Sequence, residues 1–515
     1  MTAATTYPFA PGFYRGERPE IVTSRFRYED SYTLDRFQAT GGYEGLKAAL
    51  AMPATDVHEM VKDATVLGRG GAGFPAGTKW GLMPAGVFPR YLVVNGDESE
   101  PGTYKDRLLM ERDPHQLIEG CLIACYAAGL SQCFLYIRGE MAIAQERVAT
   151  ALNEAYAAGY IGRNILGSNF SVDIVLHWGA GAYVVGEETA LLESLEGNRG
   201  MPRLKPPFFP AAIGLYGFPT IVNNVETLAN LPWLLLNGAA AYVKIGTPTS
   251  PGTRMVAISG HVVRPGVFEI VNGTTTFRDL IYGDEFCQGI RDGNDLKAFV
   301  PGGGSAPWFL PDQLDLPFEG RVVGAAGSML GSGAIMVMDE TTDIPWATLT
   351  LTRFYAKESC GKCTPCREGA PWLMRILERV VAGHGTTRDL DQMYEVGEMI
   401  CPGAFPHAAS ERLGIDAVPF PYKMTTICFV GPSAYVPVHS ALTLFRDEFE
   451  AKLVRRTMIP VAAAPVAGNE LKAFVPGGGS APWFLPDQLD LPFEGRVVGT
   501  AGSMLGSGAI MVMDD

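Results

Sequence analysis

The sequence predicts an α/β protein extended by a small β-rich segment and then by a helical one. Three observations predict it. From Asp56 to about Ser194, apolar runs of strand length alternate with amphipathic stretches of helix length, the pattern of a parallel sheet with helical crossovers. Thr253–Asp339 is instead β-branched, glycine-rich and punctuated by turns such as Val263-Arg264-Pro265-Gly266 and Val271-Asn272-Gly273. Thr342–Lys452 has no strand alternation and carries helix-period patterns.

In chain order, Asp56–Ala64 reads as helix, Tyr91–Val94 as a buried strand and Pro114–Ala128 as a helix with apolar residues at helical spacing. Phe134–Ile137 reads as strand, Met141–Ala157 as helix and Val172–Leu176 as strand. The β-rich segment has one short helical candidate, Phe277–Tyr282. The helical segment shows its period at Gly369–Val381, Leu390–Ile400 and His439–Lys452. The chain ends on a repeat. Gly293–Glu340 and Gly468–Asp515 match without a gap except at Asp295/Glu470, Ala325/Thr500 and Glu340/Asp515. An unrelated segment separates the copies, so this is a partial duplication rather than a solenoid, joined through the small-residue stretch Ala462–Gly468. The copy lacks the partner strands of the first, and a loosely docked tail is expected. The expected organisation is 1–245, 250–340, 341–456 and a linker plus repeat at 457–515.

At 515 residues the chain is too long for one core, and about three domains are expected. With 47% hydrophobic and 19% charged residues it is neither disordered nor fibrous. No apolar run approaches the roughly 20 residues that span a bilayer, and no signal peptide is visible, so direct membrane insertion is not expected. A net charge of −14 argues against a nucleic-acid surface.

In open parallel sheets ligands bind beyond the carboxyl ends of the strands. The residues there are Asn95-Gly96-Asp97-Glu98, Arg138-Gly139-Glu140 and His177-Trp178-Gly179-Ala180-Gly181. Glycine in all three and acids in the first two point to a cofactor crevice. Gly68-Arg69-Gly70-Gly71-Ala72-Gly73 has dinucleotide-fingerprint spacing, but it follows a helical stretch and precedes Pro75, so a standard Rossmann loop is rejected. What remains is that glycines let backbone amides approach a flat ring or a phosphate. Arg69 and Lys79 offer charge for a phosphate or are solvated surface cations; Phe74 offers a stacking face or is core. Gly179–Gly186 is a second glycine loop, ending in Glu187 and Glu188. These acids suit ribose hydroxyls and equally suit a helix N-terminus.

Nine cysteines in a chain without an export signal do not suggest a disulfide framework. Cys360, Cys363 and Cys366 form Cys-x2-Cys-x2-Cys, dense enough to grip one inorganic cluster, and a [4Fe–4S] cube needs a fourth thiolate from Cys401 or Cys428. Zinc accepts the same ligands, although its structural sites usually pair two knuckles. Cys121, Cys125, Cys133 and Cys287 read as small core residues. No histidine pair and no nucleophile elbow suggest a hydrolase.

Together these segments resemble the NADH-binding flavoprotein of respiratory complex I. The resemblance rests on Gly68-Arg-Gly-Gly-Ala-Gly-Phe-Pro, Asn95-Gly-Asp-Glu-Ser-Glu-Pro-Gly, Gly179-Ala-Gly-Ala-Tyr and Gly186-Glu-Glu-Thr-Ala. It rests equally on Glu196-Gly-Asn-Arg-Gly-Met-Pro-Arg, Pro219-Thr-Ile-Val-Asn-Asn-Val-Glu-Thr and Glu358-Ser-Cys-Gly-Lys-Cys-Thr-Pro-Cys-Arg-Glu-Gly. It spans about residues 30 to 455. It implies a Rossmann-like α/β flavin domain, a β-grasp (ubiquitin-like) middle domain and a C-terminal helical bundle carrying a [4Fe–4S] cluster. It implies FMN at Gly68, Gly70, Lys79, Asn95, Asp97, Tyr183, Glu187, Asn223, Asn224 and Thr227, within loops that also present Arg69, Gly71, Gly73, Ser99 and Gly186. NAD(H) is implied near Phe74 and Phe208, with Glu98, Glu188 and Lys205 as polar contacts. The fourth cluster ligand is implied to be Cys428, in Thr426-Ile427-Cys428 followed by Pro437-Val438 and a terminal helix, with an insertion at Cys401–Tyr422. The implied partners are a thioredoxin-like [2Fe–2S] subunit and a large iron–sulfur subunit, with quinone reached indirectly. The implied location is cytoplasmic, peripheral on the inner face of the plasma membrane. A related possibility is the diaphorase subunit of an NAD-dependent formate dehydrogenase or hydrogenase; a different class is a non-catalytic iron–sulfur or zinc scaffold.

Overall fold

Four parallel strands build the first sheet. In this computed structural model, which describes residues 12–13, 19–403, 423–454, 473–476 and 510–513, a two-residue strand β1 (Gly12–Phe13) precedes them. The four are β2 (Tyr91–Gly96), β3 (Gln132–Ile137), β4 (Asp173–Trp178) and β5 (Thr220–Asn224), in the order β4-β3-β2-β5. The helix Pro114–Ala128 crosses from β2 to β3 with the bounds the sequence predicts. Asp113 caps it by accepting from the Gln116 amide, Pro114 opens it and Gly129, at φ +62°, closes it. Ala142–Ala157 crosses from β3 to β4. Nearly every residue of Pro114–Ala128 is buried, and Cys121, Cys125 and Cys133 lie fully inside this core.

The middle region holds the two-residue ladder β6 (Gly246–Thr247) and β7 (Ser250–Pro251), then β8 (Thr253–Gly260), β9 (Gly266–Val271), β10 (Leu296–Val300) and β11 (Ala334–Asp339). The sheet order is β1-β9-β8-β11-β10. β8 pairs antiparallel with β9 and parallel with β11, and β10 pairs antiparallel with β11. With the predicted helix Phe277–Tyr282 falling between β9 and β10, this is the β-grasp arrangement. Glu269 on β9 fastens the N-terminal strap, accepting from the amides of Ile21 (2.8 Å), Val22 (3.0 Å) and Thr23 (2.9 Å) and from the Thr253 hydroxyl.

The helical region comprises Ile344–Glu358, Thr364–Val381, Thr387–Ile400, Val430–Leu444 and Arg446–Ala451. The first of these has no counterpart in the sequence reading. Its Thr348-Leu349-Thr350-Leu351-Thr352 run alternates and is β-branched at every second residue, which masks helical period. The structure resolves the conflict with an Asp343 cap on the Trp346 amide, Pro345 in the first turn, and Thr348 and Thr352 hydroxyls donating to carbonyls four residues back. The predicted His439–Lys452 stretch is split at Phe445 into two helices. Among the described residues no helix is long and apolar enough to cross a membrane.

Arg455–Asp515 forms a second unit. There β12 (Ala473–Pro476) pairs antiparallel with β13 (Ile510–Met513), matching Phe474 to Val512 and Val475 to Met511. The first copy matches Phe299 to Val337 and Val300 to Met336, so the duplication reproduces the register of its original. The expected loose tail concerns residues otherwise outside those described, as does most of the expected insertion, 404–422.

Two buried acids make stability respond to pH. Burial pushes Asp113 up to about 6 despite its ion pair with Arg25, and Glu119 up to about 7 despite the Tyr43 and Leu46 amides it accepts from. Both folded values lie above the unfolded ones, near 4. Their contribution is therefore fully present below about pH 4 and is lost as pH rises through 6 and 7. His115, pushed down by burial, acts in the opposite sense. Glu119→Gln is expected to flatten the decline in unfolding free energy between pH 5 and pH 8 by on the order of 1–3 kcal/mol. Urea titrations at the two pH values measure this, and parallel slopes in both proteins would exclude it.

Candidate functional site

Register places the site. Asn95 on β2 stands level with Tyr136 on β3 and with Asn224 on β5, and Tyr136 stands level with His177. The four strands thus end together. The segment after β2, Tyr183–Glu187 beyond β4 and Asn224 at the end of β5 line a cavity of about 410 Å³, whereas Arg138-Gly139-Glu140 after β3 and His177–Gly181, expected in the crevice, do not line it. Of the residues singled out in the sequence, Arg69, Gly70, Gly71, Asn95, Asp97, Glu98, Ser99, Tyr183, Gly186, Glu187, Asn224 and Cys428 line it. Gly70 is needed for close approach, since a Cβ there would stand 3.2 Å from that of Asn224, and Gly71 adopts φ +132°.

The cavity wall is acidic and short of counter-charge. Burial pushes Asp97 up to about 6, opposed by the Ser99 hydroxyl (2.7 Å). Glu98 goes up to about 7 for the same reason, although both its oxygens accept from backbone, Asp106 N and Arg107 N at 2.9 Å each. Behind this wall Lys105 pairs with Asp106 (2.8 Å) and Glu226 (2.6 Å), and Asn224 donates to Asp106 (2.6 Å). Arg69, only 1% exposed, donates to the carbonyls of Pro251 and Thr253 and stands 3.9 Å from Glu226. That corrects the reading of Arg69 as a solvated cation: it ties the first sheet to the middle region. Asp97 Oδ1 is buried at the cavity without a hydrogen-bond partner among the described residues, and Arg69 Nε makes no hydrogen bond but faces Glu226 at 3.9 Å.

Other predicted residues stand outside the cavity lining. Lys79 is no free surface charge either: it pairs with Glu188 (2.9 Å) and donates to the Val222 carbonyl. Lys205 bridges Glu187 (2.8 Å) and Glu188 (3.1 Å). Glu187 caps the helix Glu188–Leu195 through the Thr189 and Ala190 amides, as the helix-terminus reading expects, and also lines the cavity. Asn223 accepts from the Trp80 indole, and Thr227 accepts from the Arg69 amide. Gly68 and Gly73 shape the loop, Phe74 is 47% exposed, and Phe208 lines a separate groove with Arg203, Tyr216 and Lys362.

Sequence reasoning missed the wall contributed by the middle region: Gly302, Ser305, Met329, Gly331 and Ser332, together with Glu100 and Thr103. The signals were present. Glu100 sits inside a motif already singled out, and Pro301-Gly-Gly-Gly-Ser305 is the densest glycine run of its segment.

Cys360 and Cys363 sit in the connection between the helices Ile344–Glu358 and Thr364–Val381, with Gly361 at φ +80° making the turn, and Cys366 lies in the first turn of the second helix. Cys360, Cys363, Cys366 and Cys428 belong to one packed cluster with Tyr183, Val184 and Val430, whereas Cys401 packs elsewhere, among the helices. Burial pushes the Cys366 thiol to about 11 and Cys428 to about 12, so thiolate ligation there must displace protons. Among the described residues no three His, Cys, Asp or Glu side chains converge on a single-ion site. Cys428, Phe429 and Val430 also line the cavity, so cysteines and cavity share a wall.

Comparison with known proteins agrees. Residues 61–233 match the Nuo51 FMN-binding domain, and 346–408 match the NADH-ubiquinone oxidoreductase-F iron–sulfur binding region. The NADH-quinone oxidoreductase F subunit of Streptomyces coelicolor is 45% identical over 448 residues, 86% of this chain and 94% of that protein. The chain belongs to the family of NADH-quinone oxidoreductase F subunits. The F subunit of Mycobacterium tuberculosis is 46% identical over 439 residues, 84% of this chain and 93% of that protein. Among solved structures, an NAD⁺-reducing [NiFe]-hydrogenase in its H₂-reduced state aligns with a TM-score of 0.70 at 32% identity, covering 87% of this chain and 69% of the hydrogenase chain. Family membership explains why the cavity and the cysteine cluster occur together.

Proposed function

We propose that this chain is the electron-input flavoprotein of an NADH-quinone oxidoreductase, holding FMN in the cavity and a [4Fe–4S] cluster on Cys360, Cys363, Cys366 and Cys428. The observation that carries the proposal is the shared wall: the segment Cys428–Val430 belongs both to the cavity lining and to the cysteine cluster. The residues present fit these groups. Gly70 and Gly71 leave room for a flat or phosphorylated ligand, Asn95 and Asn224 offer amides at the strand ends, and Asp97 Oδ1 has no hydrogen-bond partner at the wall. FMN, when bound, accepts both electrons of NADH as a hydride and yields them one at a time to iron.

The chain's own residues bind and orient. Glu187, Glu188, Lys79 and Lys205 form one linked ion-pair chain beside the cavity, placed to receive ribose hydroxyls and phosphate of NAD(H), with Phe74 and Phe208 exposed as stacking faces. No general base is required. The electrons then leave through a thioredoxin-like [2Fe–2S] subunit and a large iron–sulfur subunit toward quinone, on the cytoplasmic face of the membrane. The hydrogenase likeness favours a second reading, a diaphorase subunit, but identity near 45% and coverage of 94% of an NADH-quinone oxidoreductase F subunit weigh toward the first.

Anaerobic NADH added to the reconstituted protein is expected to bleach flavin absorbance near ~450 nm, and then to reduce the cluster. A protein that binds neither flavin nor iron would make the scaffold reading correct.

A further inference from the structure

Three parts of the molecule meet on one carboxylate. Glu100, at the cavity wall after β2, accepts from the Tyr183 hydroxyl (2.6 Å), the Ser305 amide (2.6 Å) and the Tyr355 hydroxyl (3.1 Å). Tyr183 comes from the glycine loop after β4, Ser305 from the middle region, and Tyr355 from the helix that leads into the cysteine triplet. All three donors are neutral; among the described residues no lysine or arginine hydrogen-bonds this acid. The surroundings are cut to fit it. A Cβ on Gly303 (φ +95°) would stand 2.5 Å from Glu100 Cγ, and one on Gly304 would stand 2.9 Å from the Tyr355 hydroxyl. Tyr355 itself is fully buried, and its ring meets those of Tyr183 (5.5 Å) and Phe354 (5.2 Å) edge-on.

We propose that Tyr355 is a positioning residue of the cofactor cavity: through its hydrogen bond it holds Glu100 against the wall as a carboxylate, so that the helix leading into the cysteine triplet sets the charge facing the flavin. The proposal rests on the functional reading above and deepens it. The reason is electrostatic. A carboxylate set among neutral donors keeps its charge only while each donor stays in place. Burial pushes Glu100 up, and the Ser305, Tyr183 and Tyr355 donors oppose that rise. Removing one donor therefore favours the protonated form, and a cavity with less negative charge favours the reduced, electron-rich flavin.

The other titratable groups facing the same cavity are Arg69, Asp97, Glu98, Asp106, Tyr183, Glu187 and Cys428. All remain in Tyr355→Phe and in Glu100→Gln, so a comparison of these variants isolates the pair. The experiment is an anaerobic spectroelectrochemical titration of the flavin from pH 6 to pH 9 in the flavin- and iron-loaded full chain. It takes wild type, Y355F, E100Q and the double variant, each checked for an unchanged melting profile and cluster signal. Y355F keeps the ring contacts. Its break in the plot of potential against pH is expected about one pH unit higher than in wild type, a tenfold change in proton affinity. Its potential at neutral pH should rise toward that of E100Q, and Y355F should add nothing in the E100Q background. Wild-type behaviour in Y355F, or an equal shift with and without Glu100, would overturn the proposal. So would a potential that E100Q leaves unmoved. A wild-type chain that takes up no flavin overturns the functional reading itself, a distinct result visible before any variant is compared.

Discussion

Replacing Cys428 with serine is expected to abolish the four-iron signal, while replacing Cys401 leaves it intact. The two cysteines lie 27 residues apart in sequence and both are buried, so burial alone does not separate them. Their neighbours do. Cys428 packs with Cys360, Cys363 and Cys366 beside the cavity, whereas Cys401 closes the helix Thr387–Ile400 within the helical core, its thiol pushed to about 12 by burial and by the Glu398 charge. A cube held by three thiolates loses an iron readily, because the fourth corner has no soft ligand. Cys428→Ser should therefore yield at most a three-iron centre after anaerobic reconstitution, with electron transfer from NADH to iron reduced by orders of magnitude and flavin reduction largely preserved. Iron content, low-temperature EPR and the rate of flavin bleaching read the three quantities separately. A full four-iron spectrum in Cys428→Ser, or its loss in Cys401→Ser, would reassign the ligand. The family match to the iron–sulfur region ends at residue 408, so this assignment rests on packing and on the Thr426-Ile427-Cys428 resemblance.

How much of this was legible beforehand depends on how local the cause is. The helix Pro114–Ala128 could be read because its cap, its proline and its closing glycine all lie within its own ends. That the segments beyond β2 and β4 would line a site could be read because parallel topology places it there, whereas Arg138-Gly139-Glu140 after β3, read the same way, does not line the cavity. The helix Ile344–Glu358 could not, because its Thr/Leu alternation resembles a strand and only tertiary packing decides otherwise. For Arg69 and Lys79 the solvated alternative stayed open for a related reason. A charge in a glycine-rich segment looks solvated until the partner is known, and those partners, Pro251, Thr253, Val222 and Glu188, lie more than 100 residues away. Glu100 was overlooked between quoted neighbours, since its three donors come from three separate stretches of chain.

The network behind the cavity has the largest expected effect on stability. Glu226 is fully buried, pairs with Lys105 at 2.6 Å, accepts from the Met255 amide at 2.8 Å and stands 3.9 Å from Arg69. Asp106 shares Lys105 and accepts from Asn224, which lines the cavity. Removing the Glu226 carboxylate leaves the Lys105 and Arg69 charges under-compensated, and Arg254 is already held down to about 10 by burial and by Arg69. Breaking a buried pair in this way costs about 3–5 kcal/mol, a large share of what holds a folded protein together. Glu226→Leu is thus expected to lower the melting midpoint sharply and to loosen flavin retention, because Arg69 loses its counter-charge and the Lys105–Asp106 pair that Asn224 donates to is left unbalanced. Lys105→Met alone should do similar damage by stranding Asp106 and Glu226. The double variant, which removes both charges, should cost less than the sum of the two, whereas independent sites would add. Thermal melts of the four proteins, read with and without added FMN, test both halves. Additive losses would show that the ion pair is incidental. Lost stability with normal flavin affinity would show that the network supports the fold but not the cavity.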